Sequence, residues 1–382
     1  VLWLLGASLK SCVFILGKNF TKKKGYNDVS SCTIYKKIKL IFLIFFGFSF
    51  LPSFALQEKH PKICMVLDKG GKDDHSFNES AVIGFQKASK EFSLSKESKF
   101  VEPKSDVQIS QSIRAFASSA NCDLIVTIGF NPAEHLLDIA AKYPHKKFLA
   151  VDVNLEDRNK AKNIRSITFQ EHEGSFLVGA IAALSSKTDK IGFVGGMDVP
   201  LIHRFETGYS SGAKYVRPSI KIVSSYIGVT PDAWNNPAKA KELALAQYHE
   251  GIDIIFQVAA NSGLGVFDSA EQMNKKQNTI QKKYFAIGVD SNQNWLKPGV
   301  ILTSMIKRVD NAVYRTIQDF IQNKFKAEHI AYSLRDGGVD WAYDKHNKHF
   351  FTDSQLNEIN SIKEKIIKGK IIVPDYFVIE KK

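Results

Sequence analysis

Two α/β lobes, each a parallel β-sheet wound on both sides by helices, are the fold this sequence predicts. Three observations carry the prediction. From residue 62 onward, short apolar runs alternate with longer stretches whose apolar residues recur every three to four positions. The runs show almost no polar alternation, as strands covered on both faces require. The rhythm then repeats over a second unit of similar size. With 382 residues, 44% of them hydrophobic, the chain exceeds one ordinary core and can fill two.

In the first unit, KICMVLD (62–68), KFVEP (99–103), CDLIVTIGF (122–130), KKFLAVDV (146–153) and IRSITF (164–169) read as strands. Residues 78–92, 106–120 and 131–144 have helical spacing. The second unit begins with a helix at 174–187. Strands at 190–196, 220–228, 253–259 and 283–290 follow, with helices at 200–216, 237–251 and 264–276 between them. Residues 299–320 then read as one more strand and helix, with lysine-rich sequence beyond. No long Gly/Ser or Pro-rich linker separates the units, so they are expected to pack as two lobes of one body.

The formal net charge of +13 must be apportioned along the chain before it is read. Residues 1–55 hold eight lysines against one acid, Asp28, a net of +7, which leaves +6 for the remainder. That remainder has no patch of interleaved arginines and aromatics and no helix-turn-helix ahead of the lobes, which argues against nucleic acid as a partner. Within the leader, Lys36, Lys37 and Lys39 precede the apolar run Leu40 to Leu51, and Ser53 and Ala55 stand where a small-residue cleavage site needs them. We read 35–55 as a secretory signal peptide, since about a dozen apolar residues is too short to span a bilayer comfortably. Residues 1–34 have no place in such a signal and are expected to be an over-extended or unstructured leader.

After Ala55 only Cys64 and Cys122 remain, too few for a disulfide framework and without metal-ligand spacing. Each begins a predicted strand, where cysteine serves as a small hydrophobe. One bridge can form if those strands are neighbours in an oxidising compartment.

The unusual polar residues cluster at the carboxyl ends of predicted strands, where ligands sit in open α/β sheets. Asp68 to Asn78, Asp152, Met197 with Asp198, Asn261 to Gly265, and Asp290 are all so placed. Asp73 and Asp74 could form an acid/base pair, but adjacent loop residues usually point apart, and Asp and Asn are what helix N-termini select. The glycine turns Gly70-Gly71 and NSGLG (261–265) complete no dinucleotide or Walker pattern. There is no HExxH or CxxC, so neither a metal nor a cofactor is expected. Two aromatics lie inside polar segments: Phe77 beside Asp74 and Asn78, and Phe205 beside Arg204 and Glu206. Each is either a core residue of its helix or one face of a sandwich for a flat ring.

Six blocks in order carry a family resemblance: residues 65–85, 190–216, 253–270, 285–293, 301–314 and 334–342. Together they resemble the basic membrane protein family, the purine-nucleoside-binding components of ABC importers with the type I periplasmic binding protein fold. The resemblance implies two lobes joined by a three-crossing hinge, with lobe one at 56–169, lobe two at 170–303, a return to lobe one at 304–330, and a return to lobe two with the tail at 331–382. It implies that Phe77 and Phe205 hold a purine, and that Asp74, Asn78 and Asp152 bond base edges or ribose. Asp290 would accept from ribose hydroxyls with Lys307 nearby, and Met197, Asp198 and Gly263 would complete the wall. Asn292 stands where the family more often has a second aspartate. Many family members are lipoproteins, but here LKSC (9–12) is a poor lipobox.

The expectation is therefore a non-enzymatic, monomeric periplasmic receptor whose partners are a purine nucleoside and the permease and ATPase subunits of an importer. A sugar or other small-solute receptor of the same fold is the alternative, followed by a secreted nucleoside hydrolase or glycosidase that uses Asp73 and Asp74.

Overall fold

The structure, a computed structural model, describes residues 60–130, 133–155, 162–276 and 283–380. The leader and signal peptide expected over 1–55 lie outside these residues. In chain order the first unit contains β1 (Ile63–Val66), α1 (Phe77–Glu91), β2 (Lys99–Val101), α2 (Asp106–Ser118), β3 (Leu124–Ile128), α3 (Ala133–Lys142), β4 (Lys147–Val151) and β5 (Ile164–Phe169). The second contains α4 (Glu171–Ser185), β6 (Lys190–Met197), α5 (Pro200–Val216), β7 (Lys221–Gly228), α6 (Pro237–His249), β8 (Ile254–Val258), α7 (Gly263–Lys276), β9 (Phe285–Asp290) and β10 (Ile301–Lys307). Beyond these come α8 (Val309–Ile321), β11 (His329–Tyr332), β12 (Val339–Trp341), α9 (Asp353–Ile367) and α10 (Tyr376–Ile379).

Two six-stranded sheets result, ordered β2-β1-β3-β4-β5-β11 and β7-β6-β8-β9-β10-β12. The first is parallel throughout. The second is parallel except at β12, which runs antiparallel along β10. The buried runs of β1, β3 and β8 explain why alternation was absent from the sequence, since every residue in them is covered. The chain passes between the lobes three times: from β5 into α4, from β10 into α8, and from β11 into β12. The boundary expected at 303/304 falls inside β10, which stays in the second sheet to Lys307.

One buried apolar layer runs through both lobes and includes α1, α4, α5 and α8, while separate layers cover the outer face of each sheet. Helices α4 and α5 approach backbone to backbone. A Cβ at Gly212 would lie 1.9 Å from the Phe176 carbonyl oxygen, and one at Gly208 would lie 2.3 Å from that of His172. Only glycine permits this contact, which seats Arg204 and Phe205 of α5 against the first crossing.

Cys64 and Cys122 form a disulfide with their Cα atoms 5.6 Å apart. The condition set by the sequence is met, because β1 and β3 are hydrogen-bonded neighbours. Closing a loop of 58 residues contributes about 4 kcal/mol in the chain-entropy account.

Candidate functional site

Where the strand ends of the two sheets face each other lies a small cavity, partly open to solvent. Lobe one supplies Asp68, Phe77, Asn78, Gly129, Phe130 and Asp152, and lobe two Leu201, Phe205, Trp234, the segment 258–260, Asp290 and Lys307.

The loop after β1 is organised by Asp74. Its Oδ1 accepts from the backbone N–H groups of Ser76 (2.9 Å) and Glu79 (3.0 Å), and its Oδ2 accepts from the N–H and side-chain amide of Asn78 (2.9 and 3.0 Å). These bonds satisfy the orphan donors of the first turn of α1. The Asn78 side-chain oxygen in turn accepts from the Asp68 N–H at 2.9 Å. Phe77, the first residue of α1, is thereby held at the cavity wall. Gly129 has φ +95°, and a Cβ there would lie 2.7 Å from Asp68 Oδ2, so glycine is required where β3 ends.

Asp152 and Asp290 occupy matching places, at the ends of the fourth strand of each sheet, and both are left-handed, with φ of 64° and 63°. Aspartate tolerates that region better than most residues. Between them sits Lys307, 2% exposed, whose Nζ lies 2.6 Å from Asp152 Oδ2 and 3.1 Å from Glu171 Oε1. The ammonium is also 5.1 Å from the Phe77 ring and 5.7 Å from the Phe205 ring, so aromatic faces from both lobes converge on it. Burial pushes the Asp290 carboxyl up to about 6, against the pull of Lys307 and the Ser76 hydroxyl, which donates to it at 2.6 Å. Asp152 is likewise raised by burial, opposed by Lys307. Lys307 itself is raised: burial opposes its charge, but Asp152, Glu171 and Asp290 together outweigh burial. With one cation among three carboxylates, the ammonium is the charge that persists and a carboxyl is the group that takes up a proton.

The lobes also bond directly across the cleft. Ser291 donates to the Ser76 carbonyl at 3.0 Å, and the Gln293 amide donates to that of His75 at 3.0 Å.

Of the ten residues expected at the site, Phe77, Phe205, Asn78, Asp152, Asp290 and Lys307 line the cavity. Four do not. Asp74 is fully buried beneath the wall, committed to capping. Gly263 opens α7 against Gln257, where a Cβ would meet the amide oxygen at 2.0 Å, and the wall nearby is made by residues 258–260. Met197 ends β6, and Asp198 accepts from or pairs with His203 Nε2 at 2.8 Å; α5 supplies the wall there instead. Asp73 pairs with Lys72, its side chain 79% exposed, so it and the buried Asp74 do not converge as an acid/base pair. Asn292 donates to Asp344 at 2.6 Å and lines another groove.

Asp68, which the sequence placed at a strand end without a role of its own, also lines the cavity, and sequence reasoning missed Gly129, Phe130 and Trp234. Gly129 and Phe130 obey the strand-end rule and could have been found by applying it to every strand. Trp234 lies in a single 3₁₀ turn, Pro231–Asn235, with no sequence signal, and its indole N–H is buried without a partner among the described residues. Glu171, just ahead of the helix expected at 174–187, is 1% exposed and bridges Lys307 and Arg204.

Two lobes, three crossings and an interlobe cavity walled by aromatics and buried charges define a two-lobed solute-binding protein. Residues 62–376 match the family described as ABC transporter substrate-binding proteins, PnrA-like, and the chain belongs to that family. The ABC transporter nucleoside-binding protein BmpA of Lactococcus lactis is 35% identical over 324 residues, spanning 82% of this chain and 89% of that protein. Basic membrane protein A of Borreliella burgdorferi is 32% identical over 325 residues, 84% of this chain and 89% of that one. Among solved structures, an ABC transporter solute-binding protein of Aeropyrum pernix superposes with a TM-score of 0.74 at 27% identity, covering 84% of this chain and 96% of its own. These relatives bear out the family resemblance and the two-lobed fold. The family is one of substrate-binding proteins of ABC transporters, which are not enzymes. A lipoprotein of Pyrococcus furiosus is 32% identical over 292 residues. Among the described residues, no helix is long and apolar enough to cross a membrane.

Proposed function

We propose that this protein captures purine nucleosides in the interlobe cavity and delivers them to the permease and ATPase of an ABC importer. The observation that carries the reading is the convergence of Phe77 and Phe205 on Lys307, flanked by Asp152 and Asp290. Two aromatic faces suit a flat base. The carboxylates accept from ribose hydroxyls through charge-assisted bonds. An ammonium has three N–H donors; Asp152 and Glu171 occupy two, and the third serves the ligand. Asn78 offers its amide to the base edge, while Asp74 acts indirectly by fixing Asn78 and Phe77. Asp198, Met197 and Gly263 support the wall from behind.

The leader and the disulfide together support a periplasmic site of action. A signal peptide at 35–55 exports the chain, and a Cys64–Cys122 bridge belongs to an oxidising compartment. The protein works as a periplasmic monomer.

Calorimetric titration with guanosine, inosine, adenosine, their free bases and ribose tests the reading. Binding of intact nucleosides with a raised Tm is expected. Tight binding of ribose without nucleosides would replace the purine by a sugar, and release of free base would make the protein a hydrolase.

A further inference from the structure

An unbroken run of charges connects the cavity to the end of the chain. Asp375, immediately before α10, accepts Arg204 bidentately, Nε to Oδ1 at 2.9 Å and Nη2 to Oδ2 at 2.7 Å. The same guanidinium donates from Nη1 to the Phe169 carbonyl (2.6 Å) and Glu171 Oε2 (2.9 Å), and from Nη2 to Gln170 Oε1 (2.8 Å). All five of its N–H donors are therefore used. Three of the five go to residues 169–171, where the chain first leaves lobe one. The Phe377 ring covers the guanidinium at 5.1 Å. Glu171 turns its other oxygen to Lys307, 3.1 Å away in the cavity wall.

We propose that Arg204, fixed by Asp375 of the C-terminal segment, is a positioning residue for the ligand site, acting through Glu171 on Lys307. Glu171 is buried between two cations. While Arg204 takes up one of its oxygens, the other draws on Lys307 with only part of the carboxylate's charge, and the ammonium stays shared with Asp152. Remove Arg204, and the full buried charge of Glu171 falls on Lys307, drawing the ammonium off Asp152 and away from the cavity. Asp375 matters because a guanidinium fork is held in place by bidentate partners better than by single ones. The C-terminal segment is in this way part of the binding apparatus, although Asp375 does not line the cavity.

The binding arm of the test rests on the nucleoside reading; the spectroscopic arm does not. In the full chain, guanosine titrations of Asp375→Asn, Arg204→Met, Glu171→Gln and the Arg204→Met/Glu171→Gln pair form a double-mutant cycle. Asp375→Asn is expected to weaken guanosine about fivefold, within the usual range of coupling between sites. Arg204→Met should weaken it further, Glu171→Gln should recover most of the Arg204→Met loss, and Asp375→Glu should restore wild-type affinity. Additive losses, or an unchanged Kd with only a lowered Tm, would overturn the proposal. In ligand-free protein, the Nζ resonance of Lys307, assigned by its disappearance in Lys307→Met, should shift and exchange faster with water in Asp375→Asn. That variant lies on the half-exposed side of the network and keeps the test available if Arg204→Met does not fold. An unmoved resonance overturns the proposal, and this arm decides it even if wild-type protein binds no nucleoside, an outcome that would reject the proposed function.

Discussion

Acidification should act in opposite directions on the empty protein and on ligand capture, and Asp290→Asn isolates the effect. Burial raises the Asp290 carboxyl from 3.8 to about 6. An acid whose folded value lies above its unfolded one binds its proton more tightly in the native state. Its contribution to stability is fully present below 3.8 and is lost as pH rises through about 6, with a slope of at most about 1.4 kcal/mol per pH unit. Asp152, also raised by burial, acts in the same direction. His172 opposes both: burial, with Arg204 adding to it, lowers its imidazole from 6.5 to about 4, so its contribution is present above 6.5 and lost as pH falls. The wild-type stability profile thus mixes signs, and only the difference between wild type and Asp290→Asn reads Asp290 alone. Urea unfolding at pH 4 to 7 should show that difference shifting by about 1 kcal/mol per unit, with acid favouring wild type.

Nucleoside binding has the opposite sign, because a ribose hydroxyl needs the ionised carboxylate as acceptor. With the proton lost near 6, wild-type affinity should be about tenfold weaker at pH 5 than at pH 7. Asp290→Asn should bind more weakly at pH 7 and lose most of this dependence. Calorimetry at pH 5, 6 and 7 decides it. A flat wild-type affinity, or the same slope in the variant, would refute the account of Asp290 as the accepting group.

Lys307→Met, close in length but uncharged, should lower stability by about 3–5 kcal/mol in urea unfolding, since it leaves Asp152 buried without its cation and Glu171 with Arg204 alone; adding Asp152→Asn should return part of the loss. Cys64→Ser with Cys122→Ser should cost about 4 kcal/mol by the same measurement, and an unchanged midpoint would mean the bridge does not form in the isolated protein. Phe77→Ala should weaken nucleosides by about 1–3 kcal/mol while leaving any affinity for ribose unchanged in parallel titrations. Nucleoside 5′-monophosphates should bind far more weakly than nucleosides, by several kcal/mol, because the cavity sets Asp68, Asp152 and Asp290 against the single cation Lys307; equal affinity would show that the phosphate stays outside.

Much of this architecture is legible in the chain because buried parallel strands carry an apolar run that nothing else explains, and the ligand position follows from where such runs stop. Asp152, Asp290 and Phe77 were found that way. What escaped is what depends on distant pairing. Strand β12 has only three residues and exists because β10 offers an edge. Asp375 sits in a lysine-rich tail, 171 residues from the arginine it grips. Glycine was misjudged in the other direction: Gly263 in NSGLG invites a ligand reading, yet its lack of a side chain serves Gln257 behind the wall. Local sequence reports that a side chain must be absent and not which neighbour demands it.

The buried charges also explain how capture could favour the closed lobes. Asp152 comes from lobe one and Lys307 from lobe two, so their 2.6 Å contact bridges the lobes. Asp152 Oδ1 is buried with no hydrogen-bond partner among the described residues. A buried acceptor left unpaired costs about 1–3 kcal/mol, and more when charged. In the empty protein this carboxylate therefore combines a gain at one oxygen with a penalty at the other. A ligand hydroxyl or N–H that reaches Oδ1 removes the penalty in the closed state and offers nothing comparable in the open one, where water already serves that oxygen. Because a ligand shifts a conformational equilibrium only by its differential interaction with the two states, this orphan acceptor would couple occupancy to closure in a protein whose lobes open. Asp152→Asn, which exchanges the charge for an amide, should narrow the difference in radius of gyration between empty and nucleoside-bound protein measured by small-angle scattering; an undiminished difference would assign closure to the aromatic faces instead.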